Sequence, residues 1–507
     1  MAERPVSTGI QLTPGQQGAA EAFSAWLQAP CDGTPFVLSG YAGTGKTTLC
    51  AQLLALVEAT GLCWTVVAPT HKAVGVIRQQ LAQAGLQATW FPSTIHRLLR
   101  LKLKRQGDLE RCEETEQTAG SLENLGLVLV DEASMVDSTL LEIALRCAHP
   151  FRTRLVFVGD PGQLPPVGEP QSPVFAMGRA VAVQLTEVVR HQGPVLQLAT
   201  GLRTGLLPCR QPPAIPAVRD AHGLVAMAPR QQWLAAAQAA LRRAVELDNP
   251  DHARILCYTN KALEQLVPLA RRAIHGAMAD QLPVLPGEVL ITRSAVMAPA
   301  CRSGEEAAEE PDMVLGSNRE LVVRDVSPER CDLADFGVGS GDGCIATVID
   351  TLTAEVEAGE TRLALRLLPP AGSGARRDLD AVLQRLRQQA REAGKSDGRG
   401  LWRRYFLVRD AFASLGPAAV LTVHRSQGST FGEVYVAGDV FWPSDPVLRR
   451  QLVYVAVSRA SQAVWLVADP RCADGGADGG AAERERWLSA LAGPQCPASP
   501  DSPPTPG

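Results

Sequence analysis

Lys46 and Thr47 close the run "GYAGTGKT", which spans residues 40–47. Glycines at 40, 43 and 45 let backbone N–H groups curl around an anion, and the lysine adds a point charge. The apolar stretch "FVLS" precedes the run and the helix-like "TTLCAQLLALVEAT" follows it. That strand–loop–helix order is the context in which G-x-x-x-x-G-K-[ST] cradles a polyphosphate. Gly43, Thr44, Gly45, Lys46, Thr47 and Thr48 are therefore the candidate phosphate binders. Lys46 would reach the outer phosphates, and the Thr47 hydroxyl would ligate Mg²⁺. A glycine turn holding an unrelated lysine is the bland alternative, and the correct flanks weigh against it.

A second carboxylate-bearing stretch, "LGLVLVDEASMVD", places Asp131 and Glu132 at the end of an apolar strand. Beside a phosphate loop, Asp131 can hold the metal through its water shell, and Glu132 can orient or deprotonate an attacking water. Acidic residues also favour helix starts, which is the competing reading. In "LVFVGDPGQLPPVG", Asp160 and Gln163 follow another strand, where a γ-phosphate sensor would sit. A solvated Pro/Gly turn is the alternative there. Together these residues predict binding and hydrolysis of a nucleoside triphosphate.

These side chains need strands to position them. Between residues 36 and 270, the runs "FVLSG", "WTVVAPT", "LGLVLVDE", "TRLVFVGD" and "ARILCYTN" alternate with helix-like stretches, which predicts parallel sheets covered by helices. From about 284 to 350 the pieces become short, β-rich and separated by Gly, Asp and Ser, as in a small barrel. An amphipathic helix is expected over 378–394 and a last helix over 481–492; the Pro/Ser-rich tail, 493–507, is expected to be disordered. The chain's 507 residues exceed one core. With 46% hydrophobic and 20% charged residues, the composition is that of a soluble globular protein. No run is apolar enough to span a membrane, and the N-terminus lacks a signal core, so a cytoplasmic location is expected. The 12 cysteines form no zinc-spaced cluster. A net charge of −4 advertises no global affinity for nucleic acid.

The segments "GYAGTGKTT", "APTHKAVGVI", "STIHRLL", "VDEASMVD", "GDPGQLPPVG", "LTEVVRH", "LTVHRSQGSTF" and "YVAVSRA" occur in that order. This series resembles the motifs of superfamily 1 DNA helicases, in the RecD-like and Dda-like branch, over about residues 12–470. The resemblance implies two RecA-like P-loop NTPase domains with parallel sheets. It also implies a small hairpin insertion in the first and an SH3-like β-barrel insertion in the second. The expected boundaries are 8–99 with 122–230 for the first domain, 100–121 for the hairpin, 231–283 with 411–480 for the second domain and 284–410 for the barrel with its helix.

ATP and Mg²⁺ are the implied cofactors. Gln16 looks like the adenine-reading glutamine, with Gln17 as the adjacent alternative. Lys46, Thr47, Asp131, Glu132 and Gln163 keep the roles given above. Arg190 and Arg459 resemble the arginines that neutralise charge on the transferred phosphate, while Gln427 and Gly428 approach the γ-phosphate. Thr70, His71, Lys72, Ser93, Thr94 and His96 would grip DNA on one lobe, and Thr422 and His424 on the other.

"HRLLRLKLKRQGDLERCEETEQ" resembles the strand-splitting pin of Dda-like enzymes, although it carries no aromatic to stack on a base. A basic amphipathic helix is its other reading. The implied activity is ATP-driven 5′→3′ movement on single-stranded DNA with duplex unwinding, in repair, recombination or replication. The expected partners are single strands and single/double-strand junctions, with a single-strand-binding protein or nuclease subunits as further candidates; the expected state is a monomer. A motor subunit of a helicase–nuclease and a non-catalytic DNA-binding scaffold are the alternatives.

Overall fold

The computed structural model describes residues 12–106, 109–187, 193–298, 313–339, 346–393, 395–469 and 479–492. Arg190 and the tail 493–507 lie outside the described residues. The chain divides into two units, one drawn from residues 1–40, 45–187 and 263–421, the other from 41–44, 188–262 and 422–507.

The first unit opens with α1 (Pro14–Gln28). Thr13 and Gln16 form a reciprocal capping box: each side chain accepts from the other's backbone N–H. Next come β1 (Phe36–Gly40), α2 (Lys46–Ala59), β2 (Trp64–Ala68), α3 (His71–Gln83), β3 (Ser93–Thr94) and α4 (Ile95–Leu98). Strands β4 (Lys102–Gln106) and β5 (Leu109–Glu113) then pair antiparallel with each other. The chain continues through β6 (Leu127–Val130), α5 (Ser138–Phe151), β7 (Arg154–Gly159) and β8 (Val181–Leu185).

Six of these strands form a parallel sheet in the order β3-β2-β6-β7-β1-β8. Its inner strands β2, β6, β7 and β1 are almost wholly buried because both faces are covered, whereas the edge strand β8 alternates half-buried and exposed positions. In β6, Leu127 and Leu129 join Phe23, Trp26, Leu53 and Trp64 on one side. Val128 and Val130 join Phe157 and the α5 residues Leu140 and Ala144 on the other. Parallel pairing also sends Gly40, Asp131 and Asp160 out at the same end of the sheet, where ligands bind in open α/β sheets.

The described residues then run through α6 (Pro194–Thr204), β9 (Ile215–Asp220), β10 (Gly223–Ala228), α7 (Arg230–Glu246), β11 (Ala253–Cys257) and α8 (Asn260–His275). After α9 (Met278–Gln281) come β12 (Val289–Thr292), β13 (Val296–Met297), β14 (Met313–Leu315), β15 (Glu320–Asp332), β16 (Val348–Ala358) and β17 (Thr361–Arg366). Helices α10 (Gly374–Glu392) and α11 (Lys395–Asp410) lead to β18 (Leu415–Pro417) and β19 (Val420–Thr422). The last elements are β20 (Phe431–Val436), α12 (Pro446–Ser458), β21 (Ala460–Val467) and α13 (Gly479–Ala492).

The second six-stranded sheet has the order β19-β11-β20-β21-β10-β9. Residues 215–228, placed in the first domain by the sequence, therefore belong to it: β10 pairs parallel with β21 and antiparallel with β9. An apolar run such as "GLVAMA" suits the inside of either sheet, so its composition does not choose a partner. Tyr435 and Trp465 stack in this sheet at 5.9 Å between ring centroids.

The β-rich segment forms a five-stranded antiparallel sheet in the order β17-β16-β15-β12-β18. Helix α10 buries Leu379, Val382, Leu386 and Ala390, the spacing of one helical face, beside Cys331, Leu333 and Ile349. No helix among the described residues is long and apolar enough to cross a membrane.

Candidate nucleotide and DNA site

The phosphate loop is shaped by glycine. Gly43 and Gly45 have φ of 83° and 73°, the left-handed region, and Gly45 caps α2. Lys46 follows at the first position of α2 and folds back, its Nζ donating to Gly40 O at 2.6 Å. Burial pulls the Lys46 ammonium below its ordinary pKa, against the opposing pull of Asp160, Glu132 and Asp131. Thr44 is buried, its Oγ1 donating to Tyr41 O at 2.9 Å; Thr47 and Thr48 occupy the next positions of α2.

Asp131 follows β6, with its N–H on Val67 O at 2.9 Å and its carboxylate accepting from Glu132 N at 2.8 Å. Burial first, then the neighbouring Glu132 charge, pushes its carboxyl up to about 7. Glu132 sits at φ 52°, a left-handed conformation unusual for a residue with a Cβ. At the end of β7, Asp160 is fully buried and accepts from Gly162 N at 2.8 Å. Gln163 N donates back to Asp160 O at 3.1 Å, and Gln163 Oε1 is buried without a hydrogen-bond partner. An orphaned buried acceptor is costly, and a bound water or phosphate hydroxyl would satisfy it. Gln16 is 3% exposed and engaged in the α1 cap, while Gln17 donates to Leu12 O.

The first set of strand-gripping candidates gathers at the ends of β2 and β3. Thr70 caps α3 and Thr94 caps α4 with their side-chain oxygens. Ser93 Oγ donates to Thr94 O. His96 is held below its ordinary pKa by burial, as is His71, on which Arg319, Arg97 and Arg78 also act. A Cβ on Gly316 would lie 2.6 Å from His71 Nε2, so only glycine lets the ring sit there. Lys72 pairs with Glu320 on β15 at 2.9 Å.

In the second unit, Thr422 opens a short turn that carries His424. The His424 ring lies 6.2 Å from Tyr258, and burial lowers its pKa. Sequence reading missed what sets this pair: buried Asp439 accepts through Oδ2 from Tyr258 N, Thr259 N and Thr259 Oγ1 at 2.8–3.1 Å. The only trace in the sequence is the polar "YTN" after the strand "ARILC". Gln427 is buried and Gly428 has φ 72°. Arg459 is buried at the end of α12, donating to Val455 O, Ser429 O and Ser458 Oγ at 3.2–3.3 Å. It is thereby tied to the same loop as Gln427 and Gly428.

Residues 11–222 match the AAA domain family, and residues 417–467 match the UvrD-like helicase C-terminal domain. The ATP-dependent DNA helicase dda of Enterobacteria phage T4 is 24% identical over 471 residues, covering 90% of this chain and 99% of that one. The ATP-dependent RecD2 DNA helicase of Deinococcus radiodurans is 33% identical over 177 residues, 34% of this chain and 22% of that one. A crystal structure of Pif1 helicase from Bacteroides, in complex with ADP-AlF3 and ssDNA, aligns over 90% of this chain and 92% of its own, with a TM-score of 0.42 and 14% identity. The phosphate loop and the acidic strand ends lie within the stretch that matches the AAA domain family, and over nearly its whole length the chain is similar to a phage ATP-dependent DNA helicase.

Proposed function

We propose that this chain is an ATP-dependent DNA helicase that moves 5′→3′ along a single strand and parts the duplex ahead of it. The observation that carries the reading is the convergence of Lys46, Asp131, Glu132 and Asp160 at one sheet end, with the orphaned Gln163 Oε1 beside them. Such a site binds a triphosphate and positions a water against it.

In this reading Lys46 exchanges the Gly40 carbonyl for the outer phosphates. Glu132 orients the attacking water and draws off its proton. Gln163 holds that water or the γ-phosphate, and Arg459 and Arg190 offset charge on the transferred group. Gln427 and Gly428 lie against the γ-phosphate, and Gln16 or Gln17 reads the adenine. Thr47 and Asp131 are hard oxygen donors suited to Mg²⁺, which when bound would neutralise charge on the phosphates.

A bound triphosphate would favour one conformation of the chain, and its cleavage would favour another. Shifting such an equilibrium from 1:99 to 99:1 takes about 5.5 kcal/mol of differential binding. One DNA stacking step costs about 1.4 kcal/mol on average, so the drive suffices for a base pair per cycle. The grip would alternate between Thr70, His71, Lys72, Ser93, Thr94 and His96 on one unit and Thr422 and His424 on the other. The β4–β5 ladder is proposed as the pin, and the antiparallel sheet as an SH3-like insertion.

A DNA-stimulated ATPase assay tests this function. The expected result is slow hydrolysis alone, at least tenfold faster hydrolysis with single-stranded DNA, and none in Lys46→Ala. Hydrolysis indifferent to DNA would refute the motor reading.

A further inference from the structure

Phe91 lies two residues before Ser93, in the segment between α3 and β3, and is 74% exposed. Lone exposed apolar residues are common and need no explanation, but this ring is held. The Arg78 guanidinium lies 4.0 Å from its centroid. Arg78 is fixed in turn by Pro92 O, which accepts from its Nη2 at 2.7 Å and its Nε at 3.3 Å. One ring face is therefore committed to a positioned cation, and the exposure belongs to the rest of the ring.

Charge gathers at the same place. Arg78 and His71 both sense Arg97 and Arg319. Among the described residues none of Arg78, Arg97 and Arg319 forms an ion pair with a carboxylate, while nearby Lys72 pairs with Glu320. A group of like charges without counter-ions is unfavourable until an anion joins it. An aromatic face beside unneutralised guanidinium groups matches the chemistry of a single nucleic-acid strand, whose bases stack while its phosphates seek cations.

We propose that Phe91, backed by Arg78, is a stacking platform for one base of single-stranded DNA, with Arg97 and Arg319 holding the adjoining phosphates. The proposal rests on the strand-binding function above and adds an interaction that none of its motifs supplies. It also gives the first unit an aromatic base platform outside the β4–β5 ladder.

The test is fluorescence anisotropy of the full chain with a labelled oligothymidylate, and with an abasic strand of equal length, at fixed salt. Phe91→Ala and Phe91→Leu are expected to weaken oligothymidylate binding about tenfold, within the range of base–aromatic stacking, and Phe91→Trp to restore it. On the abasic strand, wild type and Phe91→Ala should bind alike. Arg97→Ala with Arg319→Ala should weaken both strands. A salt titration of that double variant should flatten by about 0.7 in log–log slope for each phosphate no longer neutralised. Thermal unfolding of each variant separates a binding loss from a folding loss. Wild-type binding that Phe91→Ala leaves within twofold overturns the platform alone. A wild-type chain that binds no single strand overturns the strand-binding function as well. Equal losses on both strands would make Phe91 a structural residue and overturn the stacking role.

Discussion

Gln163 and Asp131 show most sharply how a local environment prepares a side chain for chemistry. Gln163 Oε1 is buried and partnerless, which suits the ligand-contacting role proposed for it. Gln163→Ala should lower kcat about 10²-fold with little change in nucleotide affinity, the pattern left when an oriented polar group acts mainly in the transition state; single-turnover and binding titrations check it. Asp131 has the opposite problem: burial and Glu132 lift its carboxyl from 3.8 to about 7. In the proposed role, a proton would then compete with Mg²⁺ for the same oxygens. Magnesium-dependent nucleotide binding should therefore weaken about tenfold per pH unit below about 7 and level off above it. Calorimetry in buffers of different ionisation enthalpy should show proton release on binding at about pH 6.5, and Asp131→Asn should remove it. Lys46 was legible because its chemistry is written in eight contiguous positions. The fold-back onto Gly40 O was not, because it depends on where the loop turns.

At the scale of elements, two buried carboxylates act as fasteners. Glu288, just before β12, takes Arg271 Nε at 2.7 Å, and Arg271 also donates to Ala279 O and Leu282 O. It thereby joins α8 to the start of the antiparallel sheet. Removing one partner of a buried pair leaves an uncompensated charge. Arg271→Leu should therefore cost about 3–5 kcal/mol in chemical denaturation, and the double change Arg271→Leu with Glu288→Leu should recover much of that. Asp439 fastens the loop after β11 in the same way, through three donors on one oxygen. Asp439→Ala should destabilise the second unit and weaken single-strand binding, because Tyr258 beside His424 loses its anchor; melting and anisotropy measured together check this. Strand positions were readable because period and flanking glycines are local properties, as in "LGLVLVDE" and "TRLVFVGD". Fasteners were not, since Asp439 lies 180 residues from Thr259. The Thr13–Gln16 cap has a spacing signature of its own, yet the motif resemblance directs Gln16 to adenine instead.

At the scale of the whole molecule, the described residues build one parallel six-stranded sheet, a second six-stranded sheet that is mixed at its β9 edge, and a five-stranded antiparallel sheet whose strands all fall between β11 and β19 in sequence. Which sheet claims 215–228 is decided by a long-range pairing with β21, and no local pattern announces it. The motif series spans both sheets, so the likeness to helicases was legible although that boundary was not. The proposed motor function requires that hydrolysis drive directed movement. Strand displacement on duplexes bearing either a 5′ or a 3′ single-stranded tail, with Mg-ATP, tests that claim most directly. The expected result is unwinding of the 5′-tailed duplex, loss of that unwinding in Lys46→Ala, and no unwinding of the 3′-tailed one. Unwinding confined to the 3′-tailed duplex, or persisting in Lys46→Ala, would contradict it.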